Sequence, residues 1–369
     1  MEKKYKITLF VADLGGGGAE RVMVTLANEF SRSGHQVDLV LGQDRGPYLK
    51  EVDPIVRIIS LGVSKTIYSV FPLIKYLKRE KPDVVLSTLL ICNIISVLAN
   101  MLIGSKAKVV LREAISPSAE NKFLKWDVER IISFFRKWAL KRADAIVAPS
   151  YGVAEDLSNV FSINSSKIFV IYNPVDIQKI FAASAEENAL IDKLLLDIPV
   201  ILGIGRLHKQ KDFPSLIRAF NEVLKDKNAV LIIIGEGHER KNIEGLIDEL
   251  QLTDKVYLPG FVENPFPFLK RASVYVMSSL YEGMPNALIQ AVVFQKQIVS
   301  TTCPSGPSEI LDNGAIGCLV NVSDITGLVK GIRKGLNNEL SISGMEQIIK
   351  RYDSVFIAKE YLKVLLAGK

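Results

Sequence analysis

Short β-branched runs alternate with longer amphipathic stretches along nearly the whole chain, the pattern of βαβ units that build parallel sheets. Ile7–Ala12, Gln36–Leu41, Val84–Ser87, Lys108–Leu111 and Ala145–Ala148 read as strands of a first sheet. Val200–Ile204, Val230–Gly235, Val256–Leu258, Ser273–Met277 and Gln297–Ser300 read as strands of a second. Between the two sets a strand beginning at Ile168 runs into Asn173-Pro174-Val175-Asp176. Proline pushes the residue before it out of helical geometry, so this is where the chain is expected to leave its sheet. A weakly patterned connector, Ala182–Asp197, follows. Near the other end Val355, Phe356, Ala358, Tyr361, Leu362 and Leu365 recur at helical spacing and predict a closing helix over Ser354–Leu366. The expected fold class is α/β, with two doubly wound domains facing a cleft.

Val84–Ile103 is long and apolar enough to be tested as a membrane span, but it contains Ser87, Thr88, Asn93, Ser96 and Asn100. It reads as a buried strand, a loop and a buried helix. The start, Met1-Glu2-Lys3-Lys4 and a short apolar run that ends at Asp13, does not have the pattern of a secretory signal.

The length of 369 residues fits two domains at roughly 100–200 residues each. Charge adds an asymmetry: residues 1–175 carry 24 basic and 17 acidic side chains, and the rest is nearly neutral. Three cysteines (Cys92, Cys303, Cys318) without C-x-x-C spacing fit neither a disulfide framework nor a thiolate metal site, so a cytoplasmic location is expected. The scattered His35, His208 and His238 exclude the common zinc-hydrolase and deaminase motifs.

Four strand-to-helix junctions carry chemistry. The first, Gly15-Gly16-Gly17-Gly18-Ala19-Glu20, opens a helix, where backbone N–H groups can face an anion. It also partly matches a dinucleotide fingerprint, with Asp38 as the acid further on, so an NAD-dependent oxidoreductase is one alternative; a plain tight turn is another. The second, Gly203-Ile204-Gly205-Arg206 through Lys211, puts a forked cation and a mobile one at a strand's carboxyl end, where α/β ligands bind. The third runs from Ser278 through Glu282, Gly283, Met284, Pro285, Asn286 and Ala287 to Gln290, and places a carboxylate at a helix mouth. The fourth is Thr301 to Leu311, with Gly306, Ser308 and Glu309. Junctions at equivalent strand ends are expected to converge on one pocket.

With these motifs in order, joined by Gly235-Glu236-Gly237 and Pro259-Gly260-Phe261, the chain resembles the retaining glycosyltransferases of family 4, which have the GT-B fold. The resemblance covers essentially the whole chain. It implies an acceptor-binding domain over 1–173, a nucleotide-sugar-binding domain over 174–352, both Rossmann-like, and a helix over 353–369 that packs back toward the first. It implies that Arg206 and Lys211 hold the donor's diphosphate and that Glu282 contacts the transferred sugar, these three being the catalytic candidates. The remaining donor-binding candidates are Gly16, Gly17, Gly205, Phe261, Gly283, Met284, Pro285, Asn286, Ala287 and Gln290. The family's second glutamate, which binds the ribose, is replaced here by Gln290, and an amide offers one acceptor and one set of donors where a carboxylate offers two acceptors. The family's acceptor-side His-Asp element is also altered: Arg112 and Glu113 stand there as acceptor-side candidates.

The expected reaction moves a hexose or N-acetylhexosamine from a UDP-sugar to a glycan or a polyprenyl-diphosphate-linked acceptor, without a metal cofactor, since no D-x-D is present. A non-catalytic sugar-nucleotide-binding partner is the remaining alternative. Lys106–Arg142 carries ten Lys/Arg against four Asp/Glu, interleaved with Phe123, Trp126, Ile131, Phe134, Phe135 and Trp138. Such a segment suits peripheral contact with an anionic membrane, or is a helix packed on its own sheet with a basic outer face. No nucleic-acid motif accompanies the charge.

Overall fold

The computed structural model describes residues 3–121, 126–186 and 198–369, the side chains of residues 120, 121 and 126–129 excepted. The connector beyond Glu186, Phe123 and the Trp126 side chain therefore lie outside the described residues. The chain divides into two compact units, Met1–Val175 with Tyr352–Lys369, and Asp176–Arg351.

The first unit is built on a seven-stranded, wholly parallel sheet in the order β3-β2-β1-β4-β5-β6-β7. Its strands are β1 (Lys6–Val11), β2 (Gln36–Leu41), β3 (Arg57–Ser60), β4 (Val84–Thr88), β5 (Lys108–Arg112), β6 (Ala145–Ala148) and β7 (Ile168–Val170). The central strands are apolar on both faces because helices cover both. One face, with Ile7, Leu9, Val11, Leu86 and Val110, receives α1 (Gly18–Arg32) through Val22, Met23, Leu26 and Phe30, together with Ile357, Ala358, Tyr361 and Leu365 of the closing helix Ser354–Leu366. The other face receives α2 (Val70–Glu80) and α3 (Leu90–Leu102) over Phe10, Val40 and Val85. Further along that face, α5 (Trp126–Arg142) and α6 (Tyr151–Phe161) cover Val109, Leu111 and Ile146; a short helix, α4 (Pro117–Asn121), precedes them. Each fully buried aliphatic or aromatic side chain in these layers contributes about 1.5–3 kcal/mol.

Two details bear on the sequence reading. Val84–Ile103 resolves into β4, a turn at Leu89 with φ of 72°, and α3, whose 13 residues span only about 20 Å at 1.5 Å each. Among the described residues no helix is long and apolar enough to cross a membrane. The chain leaves this unit after Val175 and re-enters it at Tyr352, and the two passages are tied together: Val175 N–H donates to the Tyr352 carbonyl at 2.7 Å, and Ser354 N–H to the Val175 carbonyl at 3.1 Å.

The second unit holds a six-stranded parallel sheet in the order β10-β9-β8-β11-β12-β13. Its strands are β8 (Val200–Ile204), β9 (Val230–Ile234), β10 (Val256–Gly260), β11 (Val274–Met277), β12 (Gln297–Thr301) and β13 (Cys318–Val320). The chain goes outward from β8 through β9 to β10, then returns to β11 on the other side of β8. That reversal opens a crevice at the carboxyl ends of β8 and β11, the ligand position of doubly wound sheets. β3 and β13, both edge strands, were not foreseen. β3 has four residues, three of them exposed, and β13 has three, so neither carries a readable period of two.

Candidate active site

The loop after β8 is shaped by close backbone contacts. Gly205 N–H donates to the Ile234 carbonyl at 2.9 Å, and Leu207 N–H to the Glu236 carbonyl at 2.9 Å. A Cβ on Gly235, whose φ is 147°, would lie 1.9 Å from the Gly205 carbonyl oxygen, which no side chain can occupy. Gly205 itself leaves room for the stem of Lys211: a Cβ there would fall 2.8 Å from Lys211 Cε. A single turn over Lys209–Lys211, its first residues capped by His208 Nδ1 accepting from Gln210 N–H, then delivers the lysine inward.

Hydrogen bonds join this loop to the loops after β11 and β12. Leu280 N–H donates to the Gln210 carbonyl at 2.7 Å, and the Gln210 amide donates to the Tyr281 carbonyl at 2.8 Å. Ser278 Oγ donates to the Lys211 carbonyl, Thr301 Oγ1 to the Ser279 carbonyl at 2.6 Å, and Ser305 Oγ to the Glu282 carbonyl at 3.2 Å. Gly306, with φ of 88°, sits where a Cβ would meet the Gly283 carbonyl oxygen at 2.7 Å. The three junctions thus meet in one place.

At their centre is Glu282, only 6% exposed. Its Oε1 accepts from Lys211 Nζ at 2.5 Å and from Ser279 Oγ at 2.7 Å, a charge-assisted pair reinforced by a hydroxyl. Gly283, Met284 and Pro285 are buried beneath it, and Asn286 and Ala287 open the helix Asn286–Val293, on which Gln290 is buried. Arg206 is exposed on the same loop as Lys211, and its guanidinium makes no hydrogen bond or ion pair among the described residues. Phe261, after β10, is also exposed. Burial, and then the positive charge of His238 and Arg206, hold His208 below the usual imidazole range. Burial and the Glu282 charge push the Cys303 thiol up to about 12, so this neighbour stays protonated and is no nucleophile. Among the described residues no three His, Cys, Asp or Glu side chains group as a metal site.

The other candidates lie in the first unit. Gly16, with φ of 100°, gives its carbonyl to Tyr48 Oη at 3.0 Å, and Gly17 caps α1 beside the Glu20 carboxylate, which folds back over it. Arg112 and Glu113, at the end of β5, are both buried: Arg112 donates to Asn173 Oδ1 at 2.6 Å and to Thr88 Oγ1 at 3.2 Å, and Glu113 accepts from Asn93 Nδ2 at 3.1 Å. Asp38 is fully buried, gripped by Arg57 through two nitrogens and by Tyr76 Oη at 2.6 Å. Committed to that network, it does not offer a carboxylate to a ribose, and the dinucleotide reading loses its acid. The sequence reading missed Ser279 and Gln210 as site residues. Serine and glutamine in a strand-end loop carry no signal until their partners are known.

The family models "Glycosyltransferase Family 4" and "Glycosyl transferases group 1" match residues 16–179 and 188–353. A Campylobacter jejuni protein, N-acetylgalactosamine-N,N'-diacetylbacillosaminyl-diphospho-undecaprenol 4-alpha-N-acetylgalactosaminyltransferase, is 32% identical over 98% of this chain and 99% of its own. The chain belongs to the family 4, group 1 glycosyltransferases. The lipopolysaccharide core biosynthesis glycosyltransferase LpsE of Rhizobium meliloti is 26% identical over 96% of both chains. Among solved structures, Anabaena HepE in complex with UDP and glucose superposes with a TM-score of 0.83 at 17% identity, over 99% of this chain and all of that one. The glycosyltransferase therefore has the GT-B fold, and both of its units are the Rossmann-like sheets that the motif order implied.

Proposed function

We propose that this glycosyltransferase moves an N-acetylhexosamine or hexose from a UDP-sugar to a polyprenyl-diphosphate-linked glycan, with retention at the anomeric carbon and without a metal cofactor. The observation that carries this is the Lys211–Ser279–Glu282 cluster at the crevice of the second sheet, with Arg206 exposed beside it. Lys211, held by Glu282, and the exposed Arg206 supply the positive charge that a leaving diphosphate requires where negative charge develops. Glu282 has Oε1 saturated by Lys211 and Ser279, which leaves Oε2 for the hydroxyls of the transferred sugar. In the step itself the acceptor oxygen bonds to the anomeric carbon as the bond to the diphosphate oxygen breaks. Attack comes from the leaving-group face, and the acceptor's proton passes to the departing diphosphate. The acceptor class is supported by the Campylobacter relative, whose name specifies a diphospho-undecaprenol-linked acceptor and an N-acetylgalactosaminyl group transferred to it.

The test is turnover of a panel of UDP-sugars with polyprenyl-diphosphate glycans, in chelator, with the anomeric configuration of the product read by NMR. Inverted product or dependence on added metal overturns the mechanism, and turnover with no lipid-linked acceptor overturns the acceptor. In the same assay, Gln290→Glu should tighten UDP binding by about tenfold if residue 290 meets the ribose, since hydrogen bonds to a charged acceptor are worth about 1.5–3 kcal/mol. Unchanged affinity removes Gln290 from the donor site.

A further inference from the structure

The turn that carries two of the site's residues hangs on His208. This residue accepts twice from those that follow it: its Nδ1 from Gln210 N–H at 3.1 Å, and its carbonyl from Lys211 N–H at 2.9 Å. Gln210 and Lys211 in turn hold the loop after β11. Gln210 accepts from Leu280 N–H and donates its amide to the Tyr281 carbonyl, while Lys211 accepts from Ser278 Oγ and pairs with Glu282. From the other side His238, on the loop after β9, packs edge to face on the half-buried His208 ring, with centroids 4.8 Å apart. One imidazole therefore links the β9 loop to the turn that delivers Lys211.

A ring nitrogen that accepts from a backbone N–H carries no proton, so His208 is the neutral tautomer with its hydrogen on Nε2. Protonation at Nδ1 turns that acceptor into a donor and sets two N–H groups against each other, which breaks the cap on Gln210. The surroundings also disfavour the imidazolium. Among the described residues the charged groups facing the ring are His238, Arg206, Glu239 and Lys209, and the one acid in that set lies 3.7 Å from His238 Nε2. The further charges of the β9 loop, Glu236 and Arg240, are paired with each other. Burial, and then His238 and Arg206, hold His208 below the usual imidazole range, so the neutral ring prevails near pH 7.

We propose that His208 is a positioning residue that makes donor binding depend on pH: the neutral ring fixes the 209–211 turn and presents Lys211 to the donor's diphosphate, and the protonated ring releases the turn and lowers donor affinity. The sign follows from the hydrogen bond. Affinity is complete while Nδ1 is an acceptor and is lost as pH falls through the His208 titration. The diphosphate role of Lys211 rests on the reading above; the hold of His208 on the turn does not.

The experiment follows the full-length protein from about pH 7.5 to about pH 5. Nitrogen-15 NMR of histidine-labelled protein reads the His208 tautomer and its titration. Calorimetry reads the Kd of UDP-N-acetylgalactosamine, whose diphosphate is esterified at both ends and does not itself titrate there. Wild-type affinity should fall at least about threefold across this range in step with the His208 titration, since binding by the neutral form alone costs about tenfold per pH unit below its pKa. His208→Asn offers an oxygen to the N–H two residues on, as in an Asx turn, and has no titration; it should bind like wild type at the upper pH and keep that affinity at the lower. His208→Phe keeps a ring against His238 without the acceptor, and should bind about fivefold weaker at both, the loss of one hydrogen bond. A purely structural role would not give a pH profile that the asparagine flattens. A hydrogen on Nδ1 at the upper pH overturns the proposal, as does a pH dependence that persists in His208→Asn. The tautomer and the wild-type profile need no variant, so they decide the matter even where a variant does not fold. UDP-N-acetylgalactosamine that binds equally at every pH refutes the proposal alone, whereas its failure to bind at any pH refutes the donor reading and the proposal with it.

Discussion

Replacing Lys211 by methionine keeps the stem that packs over Gly205 and removes only the ammonium group. The lost group is one of two donors to Glu282 Oε1, and the carboxylate it abandons has a side chain only 8% exposed. Breaking a buried pair by deleting one partner costs about 3–5 kcal/mol, because the remaining charge stays desolvated. Here the lysine side chain is 18% exposed, so water can partly replace it, and Ser279 continues to donate; about 2 kcal/mol is the expected cost. For a unit of this size that is a drop in melting temperature of about 4–8 °C. Glu282→Gln in the same background should return most of it, since the neutral amide leaves no unpaired charge. The double-mutant cycle by calorimetry therefore should give a coupling of about 1–2 kcal/mol. Turnover should fall about 10²–10³-fold in Lys211→Met, the loss typical of one preorganised charge contact to a transition state. A Lys211→Met protein that melts and turns over as wild type would refute both the pairing and the diphosphate role. Additive single mutants would refute the pairing alone.

Arg206→Ala should separate the two effects: its exposed side chain holds nothing together, so the melting temperature should stay within about 1 °C while kcat/KM falls by about 10²-fold or more. Gly235→Ala should do the reverse, unfolding the second unit at lower denaturant by several kcal/mol, because its Cβ would overlap the Gly205 carbonyl at 1.9 Å in a backbone region that side chains avoid. His208 is held below its unfolded value of about 6.5, so the unfolded state binds more protons as pH drops through that value; stability present above it is lost on acidification. The melting temperature of wild type should accordingly fall between about pH 7 and pH 5.5 more steeply than that of His208→Gln.

What could be read in advance followed from physics that acts locally. β1, β2, β4 and β6 are apolar runs buried on both faces, and the closing helix over Ser354–Leu366 shows a period near 3.6, so both declared themselves from residue order. Gly235 and Gly306 stood out because a backbone that must approach another backbone excludes every side chain, a constraint visible as a glycine wherever it occurs. The edge strands β3 and β13 did not declare themselves, since an exposed three- or four-residue strand is stabilised by its neighbour's ladder and not by its own pattern.

The residue order by itself determined the two series of βα units, the glycine-lined strand ends and the chemical kinds of side chain available there, because each depends on periodicity or on backbone sterics within a few residues. The tertiary structure alone decided which of those side chains act together. Glu282 and Lys211 are 71 positions apart, and Ser279, silent in the chain, becomes a partner only when the loops after β8, β11 and β12 meet. The same holds for Asp38, which could be read as a ribose ligand until Arg57, on an edge strand the pattern hid, closed over it. Contacts of this kind have long sequence separation, and their energy depends on burial and partner distance, neither of which the order of residues states.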